Sequence, residues 1–256
     1  MKKLVIGDDS YERIFLLRKN YLLKYSPVDV KAWEILMKKN LSFVNCPIKV
    51  DELDKDDSSR CNVTNCKSKI ILPFLADYEA LSFETFTHSI SDEDFLKLWK
   101  RNFILLRELH DNDIVHGDIY GKNIMINDKL DIQFIDLDAM IIGDMISMEH
   151  GLAEEKEDYT WDEFKQVGRY EDKVSLMGMY LYYLCLGKFS SNIVALDNIF
   201  RYIHLLGFSE EMELELISYM IEDKEIDDNY YFEDMIDELI RMGYERSFSK
   251  KRKLIH

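Results

Sequence analysis

The sequence is poor in cysteine, proline and glycine, and it has fewer basic than acidic residues. Four cysteines, three prolines and ten glycines are spread over 256 residues, which is too few for a disulfide framework or a low-complexity linker. The 33 lysines and arginines against 49 aspartates and glutamates give a formal net charge of −16. A general nucleic-acid-binding protein is therefore not expected, because it needs basic side chains to displace counterions from phosphates.

Long apolar runs are also missing. The longest mostly apolar stretch, from Val174 to Leu186, is too short to span a bilayer and predicts a buried helix. The first ten residues contain two lysines and few apolar residues, unlike a signal peptide. We therefore expect a cytoplasmic protein with no membrane span. Its 47% hydrophobic residues can fill a core, which argues against disorder as the dominant state.

The pattern of apolar residues changes at about residues 75–80. Before this point, strands are predicted at residues 4–6, 14–17, 21–24, 48–53 and 69–72, with one helix between Asp29 and Asn40. After it come a long helix from Ser91, a hairpin at residues 124–135, and helices from Asp172 onward. These patterns predict an α+β fold. The predicted division is a small antiparallel sheet with one helix at residues 1–76, a mainly helical part at 77–246 and a basic tail at 247–256.

The residues with the clearest chemical meaning lie between His116 and Asp138. Asp118 precedes Asn123 by five residues, and Asp136 lies thirteen residues beyond Asn123, after the predicted hairpin. A tight hairpin would place Asn123 and Asp136 side by side at one end. Two oxygen ligands there can hold Mg²⁺, which takes its remaining ligands from water and phosphate. Asp118, presented by the preceding loop, could orient a hydroxyl and take its proton.

This order of His, Asp and Asn followed by a metal-binding Asp resembles the catalytic loop of the protein kinase-like superfamily. The resemblance covers about residues 4–242 and implies a two-lobed fold that binds ATP and Mg²⁺ in the cleft. It implies that Asp118 accepts the proton of the acceptor hydroxyl and that Lys122 stabilises the charge on the transferring phosphate. Asn123 and Asp136 would be the metal ligands.

The resemblance also implies a set of nucleotide-binding residues. Lys24 occupies the place of the strand lysine that touches the α- and β-phosphates, and Glu34 matches the helix acid that pairs with it. Gly7 is the first glycine of a glycine-rich loop, whose other glycine places are taken by Asp9 and Glu12. The apolar residues around the adenine and the residues of the hinge would be Ile6, Ile14, Leu22, Pro73, Phe74, Leu75, Met125 and Ile135.

Several departures from the family pattern affect the expected activity. Gly117 stands where regulated kinases have an arginine, so phosphorylation of an activation segment is not expected to be required. Asp138 ends an Asp-Leu-Asp triplet that resembles the metal motif of aminoglycoside, choline and sugar-lipid kinases. Asp172 resembles the helix aspartate that holds the catalytic loop through backbone amides.

The predicted activity is ATP- and Mg²⁺-dependent phosphoryl transfer, by a serine/threonine protein kinase. Its expected partners are a nucleotide and a protein substrate. One alternative is a kinase that phosphorylates a small hydroxylated molecule, which is favoured by Asp138. A second alternative is a pseudokinase that binds partners without catalysis, which is suggested by Asp9 and Glu12 in the glycine-rich loop.

Overall fold

A computed structural model describes residues 2–3, 14–17, 20–54, 66–81, 92–147 and 159–186. These residues form three α-helices and eleven strands, and the mixed composition agrees with the predicted α+β class. Several predicted features lie outside the described residues. They are the strand at residues 4–6, Ile6, Gly7, the helices beyond residue 186 and the basic tail at 247–256.

The largest sheet in the described part of the chain has five antiparallel strands in the order β1-β2-β3-β5-β4. Its strands are β1 (Lys2–Lys3), β2 (Ile14–Leu17), β3 (Tyr21–Ser26), β4 (Lys49–Glu52) and β5 (Ser68–Pro73). The strands predicted at residues 14–17, 21–24, 48–53 and 69–72 are therefore confirmed. Lys24 lies in the central strand β3, where it is paired with Ile14 of β2 and with Ile70 of β5.

Helix α1 (Val30–Lys39) follows β3 almost at once, as predicted. The Asp29 side chain caps it by accepting a hydrogen bond of 2.9 Å from the Lys31 N–H, which satisfies one of the free amides of the first turn. The helix ends at Lys39, and the C-cap residue Asn40 has a positive φ of 52°. Its inward face buries Ala32, Trp33 and Leu36.

Two three-stranded sheets follow. One has the order β6-β8-β9 and the other the order β11-β10-β7. The strands are β6 (Tyr78–Ala80), β7 (Ile114–Val115), β8 (Ile124–Asn127), β9 (Ile132–Phe134), β10 (Ile141–Ile142) and β11 (Met145–Ile146). The predicted hairpin is β8–β9, and Asn127 orders its turn by accepting hydrogen bonds from the N–H groups of Lys129 and Asp131.

Helices α2 (Asp92–Asp111) and α3 (Trp161–Leu186) contribute apolar faces to the core. The rings of Trp99 in α2 and Tyr180 in α3 pack at a tilt of 56°, with their centroids 5.1 Å apart. Among the described helices, none combines the length and the apolar character that crossing a bilayer requires.

The predicted start of α3 at Asp172 is wrong, because the helix begins at Trp161. The reason is a capping box between Thr160 and Glu163. The Thr160 N–H and hydroxyl donate to the Glu163 carboxylate, and the Glu163 N–H donates back to the Thr160 hydroxyl at 3.3 Å.

The segment after α1 joins the five-stranded sheet to the β8–β9 hairpin. Val44 forms a parallel bridge with Phe134 of β9. The Phe134 N–H donates to the Phe43 carbonyl at 2.8 Å, and the Asn45 N–H donates to the Phe134 carbonyl at 2.9 Å. Because Phe134 is fully buried and just precedes Asp136, this contact fixes the hairpin end that carries the candidate site.

Candidate functional site

The loop that follows β7 is held by one buried carboxylate, Asp172 of α3. Its Oδ2 accepts a hydrogen bond of 2.8 Å from the His116 N–H, and its Oδ1 accepts one of 3.0 Å from the Gly117 N–H. His110 Nε2 lies 3.0 Å from the same Oδ2. The expected contact of Asp172 with backbone amides of the loop is therefore present, although Asp172 lies well inside α3 rather than at its start.

The backbone conformation of Gly117 and the hydrogen bonds of the His116 ring determine the path of the chain at the start of the loop. Gly117 has a φ of 78°, a conformation that residues with a Cβ rarely adopt. The buried His116 ring accepts from the Asp118 N–H at Nδ1, at 3.3 Å, and its Nε2 lies 3.0 Å from the Ile135 carbonyl. Because Nδ1 accepts, the hydrogen is on Nε2, which donates a hydrogen bond to the Ile135 carbonyl. His116 thus joins the loop to the residue before Asp136.

Asp118 and Asn123 are in direct contact. The buried Asn123 amide donates from Nδ2 to the Asp118 carbonyl at 2.9 Å and to the Asp118 carboxylate at 2.8 Å. Both donor positions of this amide are thereby used, which leaves its oxygen as the atom for a cation. The Ile135 N–H donates to the Asn123 carbonyl at 2.9 Å, so Asn123 and Asp136 share one end of the hairpin.

The electrostatics of this region favour a bound cation. Burial raises the pKa of Asp118, and the Asp136 carboxylate raises it further, against the opposing effects of His116 and Asn123. Burial also raises the pKa of Tyr120, and the charges of Asp118 and Asp136 add to that effect. Carboxylates that repel each other in a half-buried site are stabilised when a positive charge binds between them.

Lys24 supplies a positive charge at the same place. Its ammonium pairs with the Asp136 carboxylate and with Asp138 Oδ2, the latter at 2.9 Å. Burial would lower the pKa of Lys24, but the carboxylates of Asp138 and Asp136 outweigh it and raise the pKa. Lys24 is therefore a buried ammonium ion that connects β3 to the segment after β9.

The predicted pairing of Lys24 with Glu34 is wrong. Glu34 is exposed on α1 and makes no ion pair with Lys24 among the described residues. The cause is the phase of α1, because Trp33 and Leu36 turn inward and leave Glu34 on the outer face. The partner that sequence reasoning missed is Asp138, and its position in the Asp-Leu-Asp triplet was the available signal.

The other predicted residues differ in exposure. Ile14 and Leu22 lie on the same face of the sheet as Lys24, because Ile14 is its cross-strand partner and Leu22 is two positions away in β3. Lys122 is exposed on the short 3₁₀ turn Gly121–Asn123. Phe74 is also exposed, and the half-buried members of the set are Ile14, Leu22, Pro73, Leu75, Met125 and Ile135.

The donor set at the hairpin end fits Mg²⁺. The Asn123 amide oxygen and the Asp136 carboxylate are hard oxygen donors, and Asp136 already contacts one cation, the Lys24 ammonium. Within the described ranges, no group of three or more His, Cys, Asp and Glu side chains is arranged to hold a metal ion. Two protein ligands suit Mg²⁺, which keeps water and phosphate oxygens in its remaining positions.

Asp136 itself adopts an uncommon backbone conformation, with φ 61° and ψ 56°. Residues other than glycine are rarely found in this left-handed region, and such residues cluster at functional sites. Asp136 directly precedes the short 3₁₀ turn Leu137–Ala139.

Comparison of the sequence with models of protein families finds no match, and comparison with the curated proteins finds no similar protein.

Proposed function

We propose that this protein transfers the γ-phosphate of ATP to a serine or threonine hydroxyl of a protein substrate, on a two-lobed protein kinase-like fold. The observation that carries the proposal is the meeting of Asp118, Asn123 and Asp136 with the buried Lys24. These four side chains are separated by up to 112 positions in the sequence, yet they converge on one place. A surface loop without a functional role has no need to bring four such distant polar side chains together.

Each side chain has a role in this reaction. Asn123 and Asp136 would hold Mg²⁺, which neutralises phosphate charge when bound. Lys24 binds the α- and β-phosphates, and the exposed Lys122 contacts the transferred phosphate. Asp118 orients the acceptor hydroxyl and takes its proton as the acceptor oxygen bonds to the γ-phosphorus. The bond from that phosphorus to the bridging oxygen breaks, and ADP leaves.

The residues around β5 suit an adenine ring. In the connection after β5, the Phe74 N–H donates to the Asn20 carbonyl, while the carbonyls of Phe74 and Leu75 accept from Ala76 and Tyr78. The Leu75 N–H makes no hydrogen bond to another described residue, so it can donate to a ring nitrogen. The half-buried Ile14 and Leu22 offer apolar surface beside Lys24.

A second candidate substrate is a small hydroxylated molecule. The observation that favours it is the buried Asp138, which ends an Asp-Leu-Asp triplet like that of small-molecule kinases. We propose a cytoplasmic location for either activity, because four scattered cysteines in 256 residues are too few for a disulfide framework.

Transfer of labelled phosphate from ATP tests the proposal. The purified protein with Mg²⁺ is offered generic protein substrates and then a panel of hydroxylated metabolites. We expect label on protein in the wild type, and Asp118→Ala should lose transfer by at least about a hundredfold while nucleotide still raises its Tm. Asp128→Ala is the matched control, because Asp128 is an exposed aspartate in the hairpin turn.

Three results would contradict the proposal or part of it. Label found on small molecules alone would support the second candidate instead. Equal transfer by Asp118→Ala and wild type would remove the assigned base. A wild-type protein that neither transfers label nor gains stability from ATP and Mg²⁺ would end the proposal as a whole.

A further inference from the structure

We propose that Asp138, rather than an acid of helix α1, is the positioning residue for Lys24. The inference rests on the proposed function, in which Lys24 binds phosphates. It also concerns how the activity of the site could be regulated. Where the lysine pairs with a helix glutamate, movement of that helix can switch the site on and off. A lysine held by Asp138 needs no charged partner from α1.

The contacts of Asp138 carry the first step. Its Oδ2 lies 2.9 Å from Lys24 Nζ, and its Oδ1 accepts a hydrogen bond of 2.8 Å from the Ser26 hydroxyl. Both oxygens thus bind side chains of β3 on the same face of the strand. The Asp138 side chain is 10% exposed, so water competes little for the ion pair.

Ser26 fixes the orientation of Asp138. The Ser26 oxygen accepts from the Val28 N–H at 3.2 Å and from Trp33 Nε1 at 3.3 Å. With both acceptor positions filled, its hydroxyl hydrogen is directed to Asp138. Ser26 and Trp33 are themselves buried. Helix α1 therefore supports the lysine through the indole of Trp33 and not through a charged partner.

The second carboxylate near Lys24 has a different task. The Asp136 side chain is 45% exposed and is one of the two proposed metal ligands. If its carboxylate binds a cation, its attraction for Lys24 weakens, and Asp138 remains as the full counter-charge. Because Asp136 and Asp138 flank Leu137 in one short turn, the metal-binding segment and the phosphate-binding lysine are positioned together.

A comparison of ATP with adenosine, which lacks phosphates, distinguishes a positioning role of Asp138 from a purely structural one. Affinities for ATP with Mg²⁺ and for adenosine are measured by calorimetry on wild type, Asp138→Asn, Lys24→Met and the double variant. We expect Asp138→Asn to weaken ATP binding about tenfold and to leave adenosine binding within about twofold, because Lys24 contacts phosphate alone. Asp138→Asn should add nothing in the Lys24→Met background.

Further variants complete the test. Glu34→Gln probes the rival partner and should bind ATP like the wild type. Ser26→Ala should weaken ATP binding in the same direction as Asp138→Asn but less. If Asp138→Asn does not fold, Ser26→Ala decides the question by the same comparison of ATP with adenosine.

Several outcomes would overturn the inference. Wild-type ATP affinity in Asp138→Asn, with a clear loss in Lys24→Met, would show that Asp138 does not position the lysine. Equal losses for ATP and adenosine would show a purely structural role. Independent, additive losses in the double variant would also reject it. A wild type that binds ATP no better than adenosine would instead defeat the proposed function, and this inference with it.

Discussion

The five-stranded sheet and the loop between His116 and Asn123 hold their chemical groups in different ways. In the loop, one buried carboxylate, Asp172, accepts from two consecutive backbone amides, so the backbone itself is fixed. In the sheet, the strand pairing fixes the backbone of Lys24, but the position of its ammonium depends on side chains beyond β9. The loop is thus organised through main-chain contacts and the sheet side of the site through side-chain contacts.

This difference indicates how each part should respond to substitution. Loss of a main-chain anchor leaves buried amides without partners, which costs folding free energy. Loss of a side-chain partner mainly frees the group that it oriented. Variants of the loop should therefore lower stability and activity together, and variants of the side chains that orient Lys24 should affect ligand binding more than stability.

The largest expected effect on stability is that of Asp172→Asn. The amide can accept at one oxygen only, and its NH₂ group would face a backbone N–H, so at least one buried donor of His116 or Gly117 loses its partner. We expect a loss of about 3 kcal/mol in the free energy of unfolding, measured by urea denaturation. Phosphate transfer should fall as well.

Asp162→Asn is the control for that experiment, because Asp162 is in the same helix with a side chain that is 93% exposed. It should change stability by less than about 0.5 kcal/mol. If Asp172→Asn is no less stable than this control, the loop does not depend on its main-chain anchor.

A smaller effect is expected from Gly121→Ala, also in the loop. A Cβ at position 121 would lie 2.5 Å from the Leu81 carbonyl oxygen, a backbone atom that cannot move aside alone. We expect a loss of about 2 kcal/mol in stability and a fall in phosphate transfer, because the turn carrying Asn123 must shift. Gly143→Ala is the comparison. A Cβ at position 143 would have no atom within 4 Å, so its only cost is the positive φ of 55°. We expect this variant to lose about 1 kcal/mol in the free energy of unfolding and to retain phosphate transfer. Equal transfer by the two variants would contradict the account.

The same contrast explains what could be read from the sequence. The β8–β9 hairpin is local, so spacing and turn residues were enough to predict it and the closeness of Asn123 and Asp136 at its end. The start of helix α1 could be predicted from Asp29, a residue type that favours the N-cap position. The partner of Lys24 was not predictable in this way, because it lies more than a hundred residues away and depends on tertiary packing.

Two errors had signals in the sequence that local rules can recover. Trp33 and Leu36 already defined the inward face of α1, and Glu34 lies off that face. Thr160 and Glu163 are a capping box in sequence as well as in structure, and they mark the start of α3.

The smallest functional effect is expected from Asp29→Ala, on the sheet side. This variant removes the N-cap of α1 and should lower stability by about 1 kcal/mol. ATP affinity should stay within about twofold of the wild type, because Lys24 is held by Asp138 and not by a charged residue of α1. Asp29→Ser retains a capping hydroxyl and should restore most of the stability. If ATP affinity falls in Asp29→Ala and returns in Asp29→Ser, the position of α1 controls the lysine after all, and the contrast between the two regions no longer holds.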